Sequence, residues 1–180
     1  MHFTLADLVT DITQNGAEAK ADTVELDVIE NGNEFRFIVR DNGKGMTEEE
    51  LKRAIDPFVT DGIKHPNRKV GLGLPFLIQT AQQSGGGWDI KSEKGKGTTV
   101  SAWFDKGNLD IPPTGDIPGM FRTILMFNTG AEIILRRKKT DGGEYDVRKS
   151  ELIEALGGIE DAGSLVLLGD YLRSLEESEV

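Results

Sequence analysis

Apolar residues at Leu5, Leu8, Val9 and Ile12 return at intervals of three and four, the spacing of a helix with one buried face. Thr4 followed by Asp7 reads as the capping box that starts it. The period then changes. "DTVELDVI" alternates as a half-buried strand, Asn31 and Gly32 carry the Asn-Gly hairpin signal, and "EFRFIVR" returns as the second strand. "DNGKGM" breaks the alternation with two glycines, and Thr47 with Glu50 forms another capping box that predicts a helix through about Ile55, followed by a turn at Asp56 and Pro57. Residues 59–70 are polar and aperiodic, contain Gly62 and Pro66, and read as a lid-like loop of functional length.

"GLGLPFLIQTAQQ" places glycines ahead of an apolar-periodic helix in which Pro75 is tolerable only within the first turn. "WDIKSE" and "TTVSAWF", joined by "KGKG", read as a second hairpin. The Pro- and Gly-rich residues 105–119 look like a connection, "RTILMF" with "AEIILRR" suggests a third hairpin, and Ser150 is the expected N-cap of "ELIEAL", stopped by Gly157 and Gly158. "SLVLLGDYLRSLEE" closes the chain as an amphipathic helix. Helices and paired strands without regular βαβ alternation predict an α+β fold. The form expected is a two-layer α/β sandwich, its mixed, mostly antiparallel sheet covered by helices on one face. The expected organisation is a main domain over residues 1–105, a connection over 106–119 and a small C-terminal α+β extension over 120–180. The apolar stripes of that extension are open to two readings, as an enlargement of the core or as a partner surface.

Composition narrows the chemistry. The 180 residues contain no cysteine and two histidines, His2 and His65, which excludes disulfides, zinc-thiolate sites and cysteine nucleophiles and leaves little for an imidazole metal centre. A net charge of −10 opposes nucleic-acid phosphates and anionic lipid, so neither is an expected partner, although "KHPNRK" and "RRKK" are local basic runs. No run approaches the roughly 20 apolar residues that span a bilayer. The N-terminus also lacks signal-peptide order, so a cytoplasmic protein is expected.

Carboxylates, amides, backbone and cations remain. Asp11 and Asn15 lie one helical turn apart on one face of the first helix. The amide oxygen of Asn15 suits Mg²⁺, which bridges phosphates and keeps waters. Asp11 could polarise the water attacking a γ-phosphorus or help hold hydrated metal. Asp41 ends an apolar strand, where a carboxylate accepts from the exocyclic amine of adenine, with Gly43 and Gly45 making room for the ring. Guanine places a carbonyl there, so ATP is preferred over GTP, and equal competition by the two would refute this role of Asp41. Gly71 and Gly73 precede a helix N-terminus, an anion cradle. "GLGLPF" lacks the third glycine of a dinucleotide fingerprint, and "GKGT" lacks the spacing of a P-loop.

In this order the motifs resemble those of the GHKL superfamily of ATPases, histidine kinase-like proteins of the Bergerat fold. "TDITQNGAEAKADTVEL" is similar to its N-box, "DNGKGM" to its G1 box, "DPFVT" to the segment before the lid of histidine kinases, "VGLGLPFL" to its G2 box, and "EKGKGTTVSAWF" to its closing strands. The resemblance spans roughly residues 4–104. It implies ATP and Mg²⁺ between the N-box helix and the lid, with Asn15 as the metal-coordinating asparagine and Asp41 as the adenine-recognising aspartate. Gly43, Gly45, Met46, Phe58, Lys69, Gly71, Leu72, Gly73, Leu74 and Thr98 are the further positions that it places around the nucleotide. Lys64 and Arg68 share the lid with Lys69, where contact with phosphates and plain solvation are both open.

Asp11 stands where chaperone, gyrase and mismatch-repair members carry a catalytic glutamate. It is one methylene shorter, and roughly 1 Å of misplacement can cost about a hundredfold in rate. "PTGDIP" and "EYDVRKSELIEALGG" most resemble small stand-alone ATP-binding proteins encoded beside iron-only hydrogenases. That resemblance leaves the biochemical role open, and the function expected is an adenine-nucleotide-binding regulatory module with weak ATPase activity and a protein partner. The alternatives are a protein kinase acting in trans, of histidine kinase or anti-sigma serine kinase type, and a non-hydrolysing ATP/ADP sensor.

Overall fold

The computed structural model describes residues 3–58 and 73–178. The lid at residues 59–70 lies outside them, with Lys64, His65, Arg68 and Lys69, as do His2, Gly71 and Leu72. Helix α1 (Leu5–Glu18) opens on the expected box, Thr4 Oγ1 accepting from Asp7 N and Asp7 Oδ2 from Thr4 N. A hairpin of β1 (Thr23–Glu30) and β2 (Glu34–Asp41) follows, its turn closed by Asn31 N donating to Glu34 O and by the Asn31 side chain accepting from Asn33 N and Glu34 N. Helix α2 (Glu48–Ile55) starts at Thr47, α3 covers Gly73–Gln83 with Pro75 in its first turn, and β3 (Gly87–Glu93) pairs with β4 (Gly97–Asp105).

Beyond residue 105 the elements differ from expectation. "RTILMF" is not a strand: it belongs mostly to helix α4 (Ile117–Leu125), capped by Asp116. Pro118 and Gly119, which read as breakers, sit in its first turn, where the backbone N–H groups have no helical acceptor to lose. The third hairpin is instead β5 (Glu132–Lys138) with β6 (Glu144–Arg148), a strand that sequence reading missed. Helix α5 (Lys149–Leu156) begins before Ser150, whose hydroxyl and N–H donate to the Glu132 carboxylate rather than capping a helix. Helix α6 (Ala162–Glu177) ends the chain's described part, started by Asp161, whose carboxylate accepts from Ser164 N.

Among the described residues the strands form one six-stranded sheet in the order β3-β4-β2-β1-β5-β6, antiparallel except where β1 lies parallel to β5. Val24, Leu26 and Val28 of β1, Phe35, Phe37 and Val39 of β2, and Ile133 and Leu135 of β5 point to one face. There they join Leu5, Leu8, Val9 and Ile12 of α1, Leu77 of α3, Phe121 and Ile124 of α4, and Leu168 and Leu172 of α6 in a single core. The C-terminal elements therefore enlarge that core. The opposite face is polar, with ion pairs from Arg40 to Asp27 and from Arg136 to Glu25 and Asp27, and with Arg36 stacked on Trp103.

Candidate functional site

Asp41, the last residue of β2, is half-buried where the sheet runs out. Its Oδ1 accepts from Gly43 N at 2.9 Å, and Thr98 supplies a second backbone donor from β4. Burial pushes the carboxyl above the ordinary aspartate range, and these two bonds pull it only partly back. Its other oxygen faces α1, where a Cβ added at Gly16 would lie 3.4 Å away. The carboxylate is thus held by backbone donors from two segments and faces a third.

The loop after Asp41 is fastened at both sides. Asn42 Oδ1 accepts from Asp22 N and Thr23 N at 2.9 Å, and Lys44 N donates to Ala19 O at 2.9 Å. On the other side Gly95 N donates to Lys44 O at 2.7 Å and Met46 N to Ser92 Oγ at 2.8 Å, with Ser92 Oγ 2.8 Å from Thr98 Oγ1. The room made by Gly43 and Gly45 is taken by the protein's own chain. A Cβ at Gly43 would stand 2.4 Å from Ala19 O, and one at Gly45, whose φ is +61°, would stand 1.9 Å from Glu93 O. Gly97, with φ +117°, meets Asp41 O at 2.0 Å in the same way. Sequence reading singled out neither Gly97, Ser92 nor Asn42. The glycine next to Thr98 was a usable signal for the first, whereas the polar contacts of the other two depend on loop conformation.

Asp11 and Asn15 are exposed on α1, and Gly73 begins α3 beside them, the space for a Cβ there lying 3.5 Å from Asn15 Nδ2. One turn of α1 therefore meets both neighbours: Gly16 faces Asp41 and Asn15 faces Gly73. Leu74 is buried in the core, Met46 is partly exposed, and Phe58 is 91% exposed next to the lid. Among the described residues no three acidic or imidazole side chains gather as a metal site. The donor set fits Mg²⁺ all the same, because that ion needs one hard oxygen such as the Asn15 amide when phosphates and water supply the rest.

The family model described as "Histidine kinase-, DNA gyrase B-, and HSP90-like ATPase" matches residues 3–108. The chain belongs to this family. Sporulation kinase C of Bacillus subtilis (strain 168) is 31% identical over 96 residues, covering 52% of this chain and 22% of that protein. Sensor protein SrrB of Staphylococcus aureus (strain NCTC 8325 / PS 47) is 34% identical over 80 residues, covering 43% of this chain and 14% of its own length. The chain thus spans less than a quarter of each relative. The catalytic domain of histidine kinase ThkA superposes with a TM-score of 0.44 at 20% identity, over 56% of this chain and 64% of that one. No helix among the described residues is long and apolar enough to cross a membrane.

Proposed function

We propose that the chain binds ATP with Mg²⁺ along α1 and hydrolyses it slowly as a regulatory module. The observation that carries this reading is the turn of α1 at Asn15 and Gly16, which meets the Gly73 helix start on one side and the Asp41 carboxylate on the other. That spacing of a hard oxygen, a helix N-terminus and a buried acceptor suits the two ends of one adenine nucleotide. Asp41 accepts from the adenine amine, the Thr98 segment borders the base, and Asn15 would hold Mg²⁺, which when bound would neutralise phosphate charge. Met46, Phe58, Gly71, Leu72 and Lys69 remain proposed neighbours of the nucleotide.

Asp11, one turn before Asn15, takes the proton of the attacking water as its oxygen bonds to the γ-phosphorus and the bond to the β-phosphate oxygen breaks, leaving ADP and phosphate. The test follows the γ-phosphate of labelled ATP with Mg²⁺ in the native protein and in Asp11→Asn. Slow phosphate release, reduced about a hundredfold or more in the variant with ATP affinity retained, is the expected outcome. Equal release from both proteins would remove Asp11 from the chemistry. A second reading, transfer of the phosphoryl group to a separate protein, is favoured by the two relatives whose names are those of a kinase and a sensor. Label appearing on an added partner protein, with little free phosphate, would select it.

A further inference from the structure

Ser92 of β3, Thr98 of β4 and Asp41 of β2 are successive register partners, so their side chains form one row across the end of the sheet. The row lies on the face that carries Val39 and Val100, the face covered by helices. Its hydroxyls are linked. Ser92 Oγ lies 2.8 Å from Met46 N, 3.2 Å from Gly97 O and 2.8 Å from Thr98 Oγ1. A serine hydroxyl has one proton and two lone pairs, and these three neighbours can use it up in only one way. Met46 N can only donate and Gly97 O can only accept. Ser92 therefore gives its proton to Gly97 O, accepts from Met46 N, and has one lone pair left for the proton of Thr98. With all three bonds made, Thr98 has no proton to give. Its Oγ1 stands beside Asp41 in the row as a second acceptor.

We propose that Ser92 is a positioning residue for purine selection. By taking the Thr98 proton it keeps the edge formed by Asp41 and Thr98 free of side-chain hydroxyl donors, so that the site accepts a 6-amino purine and rejects a 6-oxo purine. This rests on the reading of Asp41 as the adenine acceptor. Adenine brings an exocyclic amine with two N–H groups, whereas a 6-oxo base brings a carbonyl that would face the lone pairs of two side chains. With Asp41 alone fixed, a neighbouring hydroxyl free to rotate could donate to that carbonyl and offset part of the mismatch. Fixing the direction of one hydrogen bond closes this route. Ser92 acts through Thr98 and not on the base.

The test uses the full chain with Mg²⁺ and measures, by calorimetry, the ratio of its affinities for ATP and inosine triphosphate, whose base carries a 6-oxo group in place of the amine. The native protein should prefer ATP, and Ser92→Ala should cut that preference about tenfold, the scale of one repaired acceptor mismatch. Loss of the Met46 bond weakens both nucleotides alike and cancels in the ratio. Ser92→Thr keeps a hydroxyl at a strand position suited to a β-branched side chain and should retain the native ratio. Thr98→Val added to Ser92→Ala removes the freed proton, so the preference should recover. An unchanged ratio in Ser92→Ala, the same loss in Ser92→Thr, or a lowered ratio that persists in the double variant would overturn the proposal. With ATP still bound and preferred by the native protein, each of those results strikes the role of Ser92 alone. Failure of the native protein to bind ATP would instead remove the nucleotide reading, and the role of Ser92 with it.

Discussion

Asp41 is held in a place that suits a ligand better than it suits the fold. Its pKa is raised by burial, so the native state takes up the proton more readily than the unfolded chain does. The sign follows directly: this group favours folding below its unfolded pKa, and that contribution is lost as pH rises through the raised folded value. At neutral pH the ionised carboxylate is a small liability to the fold. Asp41→Asn is therefore expected to leave the melting temperature unchanged or higher while weakening ATP binding about tenfold to a hundredfold, the scale of one hydrogen bond to a charged acceptor. Calorimetry beside a thermal melt checks both halves, and a joint fall would mark Asp41 as structural. Acidification should weaken ATP binding more in the native protein than in the variant. A carboxylate closing an apolar strand was visible in the sequence. The fastening of the loop that follows it by Asn42 and Ser92 was not, because an amide or hydroxyl looks the same in sequence whether it meets water or a loop backbone.

At the scale of elements, short periodic signals bounded by caps translated directly into structure. Thr4, Asp7 and Thr47 cap as expected because each acts on its own first turn. A capping box cannot satisfy every N–H of α1, and the connection supplies the rest: Leu5 N donates to Pro113 O and Ala6 N to Thr114 O, both at 2.9 Å. That connection thus braces the helix carrying Asn15. Helix α4 was misread although Ile117, Met120, Phe121, Ile124 and Leu125 keep helical spacing, since Pro118 and Gly119 divide the pattern and only the apolar run after them looks continuous. The two glycine contacts between "DNGKG" and the β3–β4 turn yield a prediction here. Gly45→Ala and Gly97→Ala each combine a positive φ with a Cβ driven onto a backbone carbonyl, so each should destabilise the protein by roughly 2–4 kcal/mol in urea unfolding. Stability within about 0.5 kcal/mol of native would show that the turn can move aside.

Across the whole molecule, the sheet and the last helix are joined by a buried cation. Arg137 is 4% exposed and reaches Glu30 of β1 at 2.8 Å and Glu176 of α6 at 2.9 Å, while the Tyr145 hydroxyl donates to Glu176 at 2.7 Å. Lys139 caps the C-terminal carbonyls of α6 at Leu175, Glu176 and Ser178. Burial pushes the Glu30 carboxyl up, but hydrogen bonds from Lys106 and Arg137 outweigh it and hold it below the usual glutamate range. Its stabilising contribution is accordingly present above the unfolded pKa and lost as pH falls through the depressed folded value. Arg137→Met leaves Glu176 without its cation and Glu30 with Lys106 alone, and is expected to cost about 3–5 kcal/mol at neutral pH. Urea titrations across the acid range should also show the variant losing less stability on acidification than the native protein. A parallel acid limb in both would show that Glu30 is not coupled to Arg137.

The local elements of the first hundred residues, the motif order and the acid, amide and glycines of the candidate site are all legible in the chain alone, because capping, periodicity and turn chemistry act within a few residues. Long-range packing settled that β5 lies parallel to β1, that β6 forms an edge beside an apolar groove, and that Arg137 and Lys139 of "RRKK" supply a buried clamp and a helix cap while Arg136 and Lys138 stay at the solvent surface. Those outcomes depend on which distant surfaces bury one another. Parallel pairing and ion-pair burial carry no local periodicity, so the residues that make them are indistinguishable in sequence from exposed ones.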